Sequence, residues 1–166
     1  MSKDERRWLK SEIRKTLIPA LVELGFEHIL LTDSEKQAGY TAVYSHGRFR
    51  RRNLDGYDLL ELALNKFGKA SFVISAGMVP SEGITHHNGT STALDVWSSW
   101  LPKNYVFYSV PALGRGFSLW HWPGRRIKQA DIQTLIGSVV VQILPQIDQA
   151  LRFDKRGANV KVFERN

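Results

Sequence analysis

Four arginines crowd into five positions at Arg48-Phe49-Arg50-Arg51-Arg52, the densest charge feature of the chain. In an extended backbone Arg48, Arg50 and Arg52 project from one face at intervals of about 6.6 Å, a row that could grip phosphates or a partner's carboxylates bidentately. The same pattern suits a solvated edge strand with no ligand, because basic side chains on an edge discourage sheet-to-sheet aggregation. A second basic cluster, Arg125, Arg126 and Lys128, precedes a long helical stretch, where cations oppose the helix dipole. Four of the five tryptophans, Trp97, Trp100, Trp120 and Trp122, fall between residues 97 and 122. Indoles grouped in this way ordinarily build core, but tryptophan and arginine are also the residues most enriched at binding hot spots. The candidate contact set is therefore Arg48, Arg50, Arg51, Arg52, Trp97, Trp100, Trp120 and Trp122.

Other chemistry is narrowed by missing motifs. The chain has no G-x-x-x-x-G-K-[ST] loop, no G-x-G-x-x-G after a strand, no G-x-S-x-G elbow and no H-E-x-x-H pair, so each of those mechanisms lacks its geometric minimum. Cysteine is absent, which removes thiolate nucleophiles, thiolate zinc sites, iron–sulfur clusters and disulfides and suits a reducing, cytoplasmic location. Of five histidines, only His86 and His87 are neighbours. Adjacent side chains diverge, so they would need a third ligand such as Asp95 to hold a metal, and a solvated loop is the plainer expectation. His121 falls on the strand face opposite Trp120 and Trp122, which suggests a partly buried role. Asp58, Glu61 and Lys66 share a strand, yet Glu61 points away from the other two, which fails the short Glu-x-Lys form of a metal-dependent nuclease. No catalytic residue, metal site or cofactor is assigned on these grounds, although an enzyme whose residues converge only in three dimensions stays open.

The elements that must position these residues follow from periodicity. Leu9, Ile13, Leu17, Ala20, Leu21 and Leu24 recur at helical steps and stop at Gly25, with Pro19 inside the run, where a kink or restarted helix is expected. From about residue 39 the period changes to two: Tyr40, Ala42 and Tyr44 alternate as a strand, and Arg48 to Arg52 follow after a turn at Gly47. Leu60, Leu62 and Leu64 line one face of a strand that carries Glu61 on the other. Phe67-Gly68-Lys69 then turns into Ala70, Phe72, Ile74 and Ala76, an antiparallel hairpin at the centre of a meander. Residues 80 to 104, rich in Pro, Ser, Gly, Thr, His and Asn, read as an irregular surface excursion. Strands are expected from Tyr105 to Val110 and Gly116 to Trp122. The run Ile132, Leu135, Ile136, Val139, Val140, Ile143, Leu144, Ile147 and Leu151 predicts a long helix that Pro145 bends. The tail from Arg152 either adds an edge strand or stays loose. Together these make a single α+β domain over 1–166, an antiparallel meander covered on one face by an N-terminal and a long C-terminal helix.

The 166 residues are 43% hydrophobic and only 23% charged, enough apolar surface for a core and too little charge for a disordered chain. Twenty-three Lys and Arg against sixteen Asp and Glu leave a formal charge of +7, which favours encounters with anionic surfaces. The charged start of the chain lacks a signal-peptide or membrane-spanning run, so no membrane partner is expected.

From Leu17 to Pro80 the sequence resembles the bacterial domain-of-unknown-function family numbered 4304. The resemblance rests on Leu24-Gly25-Phe26, on Phe49-Arg50-Arg51, and on the hairpin from Tyr57 to Lys66 turning into Ser71 to Gly77. It implies a small α+β domain and brings no activity or catalytic residues with it. The functional expectation is a non-enzymatic domain that binds a macromolecule in the manner of an immunity or accessory protein, with a protein as partner. Immunity proteins against nucleases are often acidic, so the charge of +7 fits that subclass poorly. The rival is a basic nucleic-acid-binding protein, whose affinity would fall steeply with salt.

Overall fold

The structure is a computed structural model that describes residues 3–86, 89–93, 95–119 and 126–165. Leu9, Ile13, Leu17 and Leu21 are fully buried and lie four residues apart, a spacing that drifts around a cylinder of 3.6 residues per turn. The helical rod corrects this drift with one widened turn: α1 (Lys3–Glu12) passes into a π-helical turn (Ile13–Leu17) and then α2 (Ile18–Glu23). Within it the Ile18 N–H donates to the carbonyl of Ile13, five residues back. The discontinuity expected at Pro19 is this turn, with the proline near the start of α2, where its missing N–H is least felt. The rod ends as Gly25 takes φ +90°. There Gly25 N–H donates to Val22 and Phe26 N–H to Leu21, the Schellman arrangement that needs a glycine.

After α2 come β1 (Glu27–Ile29) and the short helix α3 (Asp33–Gln37). Thr32 and Glu35 cap α3 reciprocally, a Thr-x-x-Glu box that the sequence carried. The strand expected over Tyr40 to Tyr44 is corrected here: Tyr40–Ala42 is a 3-10 turn, and the Tyr44 N–H donates to the Tyr40 carbonyl at 2.7 Å. Tyr40 and Tyr44 satisfy a helical four-residue step as well as a two-residue one, and burial of both rings against Trp97 favours the turn.

The sheet continues with β2 (Arg48–Arg52), β3 (Gly56–Leu64) and β4 (Ser71–Pro80), then a small separate hairpin of β5 (Ile84–His86) and β6 (Gly89–Ser91). It is completed by β7 (Lys103–Phe107), β8 (Phe117–Ser118) and, after α4 (Gln129–Gln142) and α5 (Leu144–Phe153), by β9 (Val160–Glu164). The order is β1-β2-β3-β4-β7-β9, with β8 also on β4, and every pairing is antiparallel. The tail therefore does supply an edge strand, and the α+β meander stands.

Register sets the two faces. Phe49 and Arg51 share the inner face with Asp58, Leu60, Leu62 and Leu64, and there Ile132, Ile136, Val139, Ile147 and Leu151 join the leucines of the N-terminal rod in one core. The α4–α5 segment has the length and apolar composition of a membrane span. A third of that stretch is buried, and its buried stripe roofs this core. On the outer face the excursion does more than cross the surface: Ala93, Val96 and Leu101 pack on Leu59 and Val79 as a second, smaller core.

Candidate functional site

β2 brings its arginines to both faces of the sheet, and the two faces use them differently. Arg51 points inward and is 8% exposed. Its Nε and Nη2 donate to one Asp58 oxygen at 2.9 and 2.7 Å, and its Nη1 donates to Asp148 at 2.7 Å and to the Leu24 carbonyl at 3.1 Å. The guanidinium lies 4.6 Å from the Phe26 ring centre. Asn53 donates to the other Asp58 oxygen at 2.8 Å, and Arg152 to Asp148 at 2.9 Å. Burial works against ionisation of Asp148, but the hydrogen bonds and charges of Arg152 and Arg51 outweigh it and hold the carboxyl below its ordinary range. This network ties α2, β2, β3 and α5 together.

Above it opens a cleft of about 840 Å³ between the β2–β3 turn, the end of β4 and the end of α5. Its floor is the satisfied Arg51–Asp58 pair, whereas its rim carries Leu54 (103% exposed), Phe153 (73%) and Met78 (43%). Arg52 and Arg152 stand exposed among these apolar side chains, with Asp55 the acidic member of the rim. Apolar side chains so exposed and so close together mark a contact surface more often than a solvated one.

On the outer face the row of Arg48, Arg50 and Arg52 forms, but it is not free. Arg50 donates to Glu27 at 2.9 Å, and Arg52 to the Tyr57 hydroxyl at 3.1 Å. Arg48 is 7% exposed, pairs with Glu35 at 3.1 Å and lies 4.5 Å over Trp97. Trp97 is buried against Tyr40 and Tyr44, while Trp100 remains exposed. A pit of about 320 Å³ opens beside them, lined by Glu35, Tyr40, Arg48, Asp95, Trp97 and Trp100 among others. The structure thus gathers Arg48, Trp97 and Trp100 at one place and sends Arg51 to the other side of the sheet. Trp120 and Trp122 lie outside the described residues, as do His87, His121 and Arg125.

Beneath Trp97 sits a group that sequence reasoning set aside. Glu61 is 1% exposed, and its oxygens accept from the Ser98 N–H at 2.5 Å and the Ser98 hydroxyl at 2.7 Å. Burial pushes its carboxyl up to about 7, with Ser98 and Arg48 only partly opposing. The available signal was its place in a strand, opposite Arg48. Nothing in the sequence ties it to Ser98. Burial, with Arg14, Lys10 and His28 nearby, lowers His46 to about 4, which keeps that imidazole neutral. Among the described residues no group of three or more His, Asp or Glu is placed to hold a metal ion. Compared with family models, with curated proteins and with solved structures, the chain finds no match.

Proposed function

We propose that this protein is a non-enzymatic binding domain that takes a protein partner in the cleft at the end of α5, through a segment combining large apolar side chains with carboxylates. The observation that carries the reading is the rim of exposed Leu54, Met78 and Phe153 interleaved with Arg52 and Arg152 above a floor whose charges are already satisfied. Exposed apolar side chains gain by leaving water, about 25 cal/mol for each Å² covered. The arginines select the charge of what covers them, and the net charge of +7 steers an acidic partner toward the protein. The contact set moves accordingly: Arg52 keeps its role, while Arg48 and Arg51, buried in internal ion pairs, give way to Leu54, Met78, Arg152 and Phe153.

Panning a random peptide library on the immobilised protein tests it. Enriched peptides are expected to pair Asp or Glu with Leu, Phe or Trp, and Leu54→Asp and Phe153→Asp are each expected to abolish their binding. Peptides that ignore both substitutions overturn the reading. Filter retention of an oligonucleotide that falls steeply with salt yet survives Leu54→Asp would support the nucleic-acid alternative instead.

A further inference from the structure

The pit on the outer face of the sheet is separate from the cleft and opposite to it in charge. Four segments meet around it: Glu35 comes from α3, Tyr40 from the 3-10 turn that follows, Arg48 from β2, and Asp95, Trp97 and Trp100 from the excursion. Its volume of about 320 Å³ lies at the lower end of the range for small-molecule sites.

Aromatic rings and carboxylates supply most of its wall. The Trp97 ring centre lies 5.0 Å from that of Tyr40 and 4.7 Å from that of Tyr44. Trp97 itself is buried, whereas Tyr40 is half-buried and Trp100 is 42% exposed. The pit already holds one cation of the protein's own: the Arg48 guanidinium lies 4.5 Å from the Trp97 ring centre and pairs with Glu35 at 3.1 Å. That pair is balanced, and Asp95 is left over. Asp95 is exposed, its carboxylate accepts from the Thr92 hydroxyl at 2.7 Å, and it enters no ion pair among the described residues. One cation thus faces two carboxylates, so the pit carries a formal negative charge on a protein whose net charge is +7.

An aromatic wall beside an unbalanced carboxylate selects a positive charge. The kind of cation follows from hydration. A primary ammonium is strongly hydrated and carries three N–H donors that all need acceptors, which rings do not provide. A quaternary ammonium has no N–H to satisfy and turns methyl groups toward ring faces, the interaction at which aromatic sites excel. We propose that the pit binds a trimethylammonium group, carried by a choline-like small molecule or by a methylated lysine. Tyr40 and Trp100, the more accessible rings, receive the methyl groups, and Asp95 supplies the opposite charge.

Titrating the intact protein with choline chloride at constant ionic strength, followed by heteronuclear NMR, tests this. The Trp100 indole N–H and the amides of Thr32, Ser34 and Asp95 are expected to shift saturably, while amides of the β3–β4 hairpin stay in place. The uncharged isostere of choline, in which a tert-butyl group replaces the trimethylammonium, is expected to leave all of them unmoved. Trp100→Ala is expected to weaken choline binding about fivefold through loss of one ring. Asp95→Asn, which keeps an acceptor for Thr92, is expected to weaken it about threefold at low salt and less at high salt. A trimethyllysine peptide titrated alongside distinguishes the two sources, the tighter binder naming the natural one, and its unmethylated counterpart is expected to bind more weakly. The proposal is overturned if neither trimethylammonium probe gives a saturable shift at the pit, or if the tert-butyl isostere or the unmethylated peptide binds as well. Undiminished choline binding by both variants overturns it too.

Discussion

Two rungs of the β2–β3 ladder begin alike and end apart. Arg51 stands opposite Asp58 and Arg48 opposite Glu61, each an arginine facing a carboxylic acid in register on adjacent strands. On the inner face the first rung closes into a direct pair at 2.7 Å, and Asp148 and Asn53 satisfy what remains. On the outer face the second rung stays open: Arg48 leaves for Glu35 and Trp97, and Glu61 for Ser98. The difference teaches that register proposes a pair and the third layer disposes of it. Over Asp58 the covering helix brings another carboxylate, which Arg51 bridges. Over Glu61 the covering excursion brings only neutral donors, whose bonds oppose the effect of burial without overcoming it. The first rung closes as an ion pair, and the second leaves a buried carboxyl without one.

The comparison breaks most visibly at Asp58. Asp58→Ala leaves the Arg51 guanidinium buried beside a single, partly exposed carboxylate and is expected to destabilise the protein by about 3–5 kcal/mol in urea unfolding, most of it recovered by adding Arg51→Met. Ser98→Ala strands a buried Glu61 oxygen, and the same measurement at pH 5 should show a loss of about 1–3 kcal/mol. Arg48→Ala forfeits the stacking on Trp97 and the pair with Glu35. Its expected loss is about 1–2 kcal/mol, smaller than at Asp58 because the charge it leaves behind, Glu35, is more exposed than the Arg51 that Asp58→Ala strands.

The sign of the pH dependence sharpens the contrast further. Asp148 titrates below its ordinary value, so what it contributes is present at neutral pH and lost on acidification. Glu61 titrates above, so what it contributes is present in acid and lost toward pH 7. Glu61→Gln should therefore flatten the slope of stability between about pH 4.5 and 7, whereas Asp148→Asn should flatten the acid limb below it, both read from urea midpoints across pH. The smallest effect on stability is expected at the cleft rim: Leu54→Asp should stay within about 0.5 kcal/mol of the parent while abolishing peptide capture.

How much of this was legible depends on how far apart the cooperating residues lie. The stop at Gly25, the β3–β4 hairpin and the stripe of α4–α5 were readable, because each rests on neighbours a few positions away. The Thr32–Glu35 capping box was equally local, but it was passed over beneath an alternation of Tyr40, Ala42 and Tyr44 that a helical step fits as well. The arginine row was legible as geometry and only partly as surface: strand alternation does place Arg48, Arg50 and Arg52 on one face, where Arg52 is exposed and Arg48 buried, yet it is silent on what lands there.

By itself, then, the order of residues determined the N-terminal and C-terminal helices, the central antiparallel hairpin and which side of its strands is apolar, since periodicity is a property of a backbone with its nearest neighbours. Tertiary structure alone decided the fate of the charged groups. Glu61 finds its donor 37 residues along the chain, Arg51 its second carboxylate 97 residues away, and the cleft joins a β-turn to the end of a distant helix. Desolvation depends on everything that covers a side chain, and that covering is assembled only when the layers close.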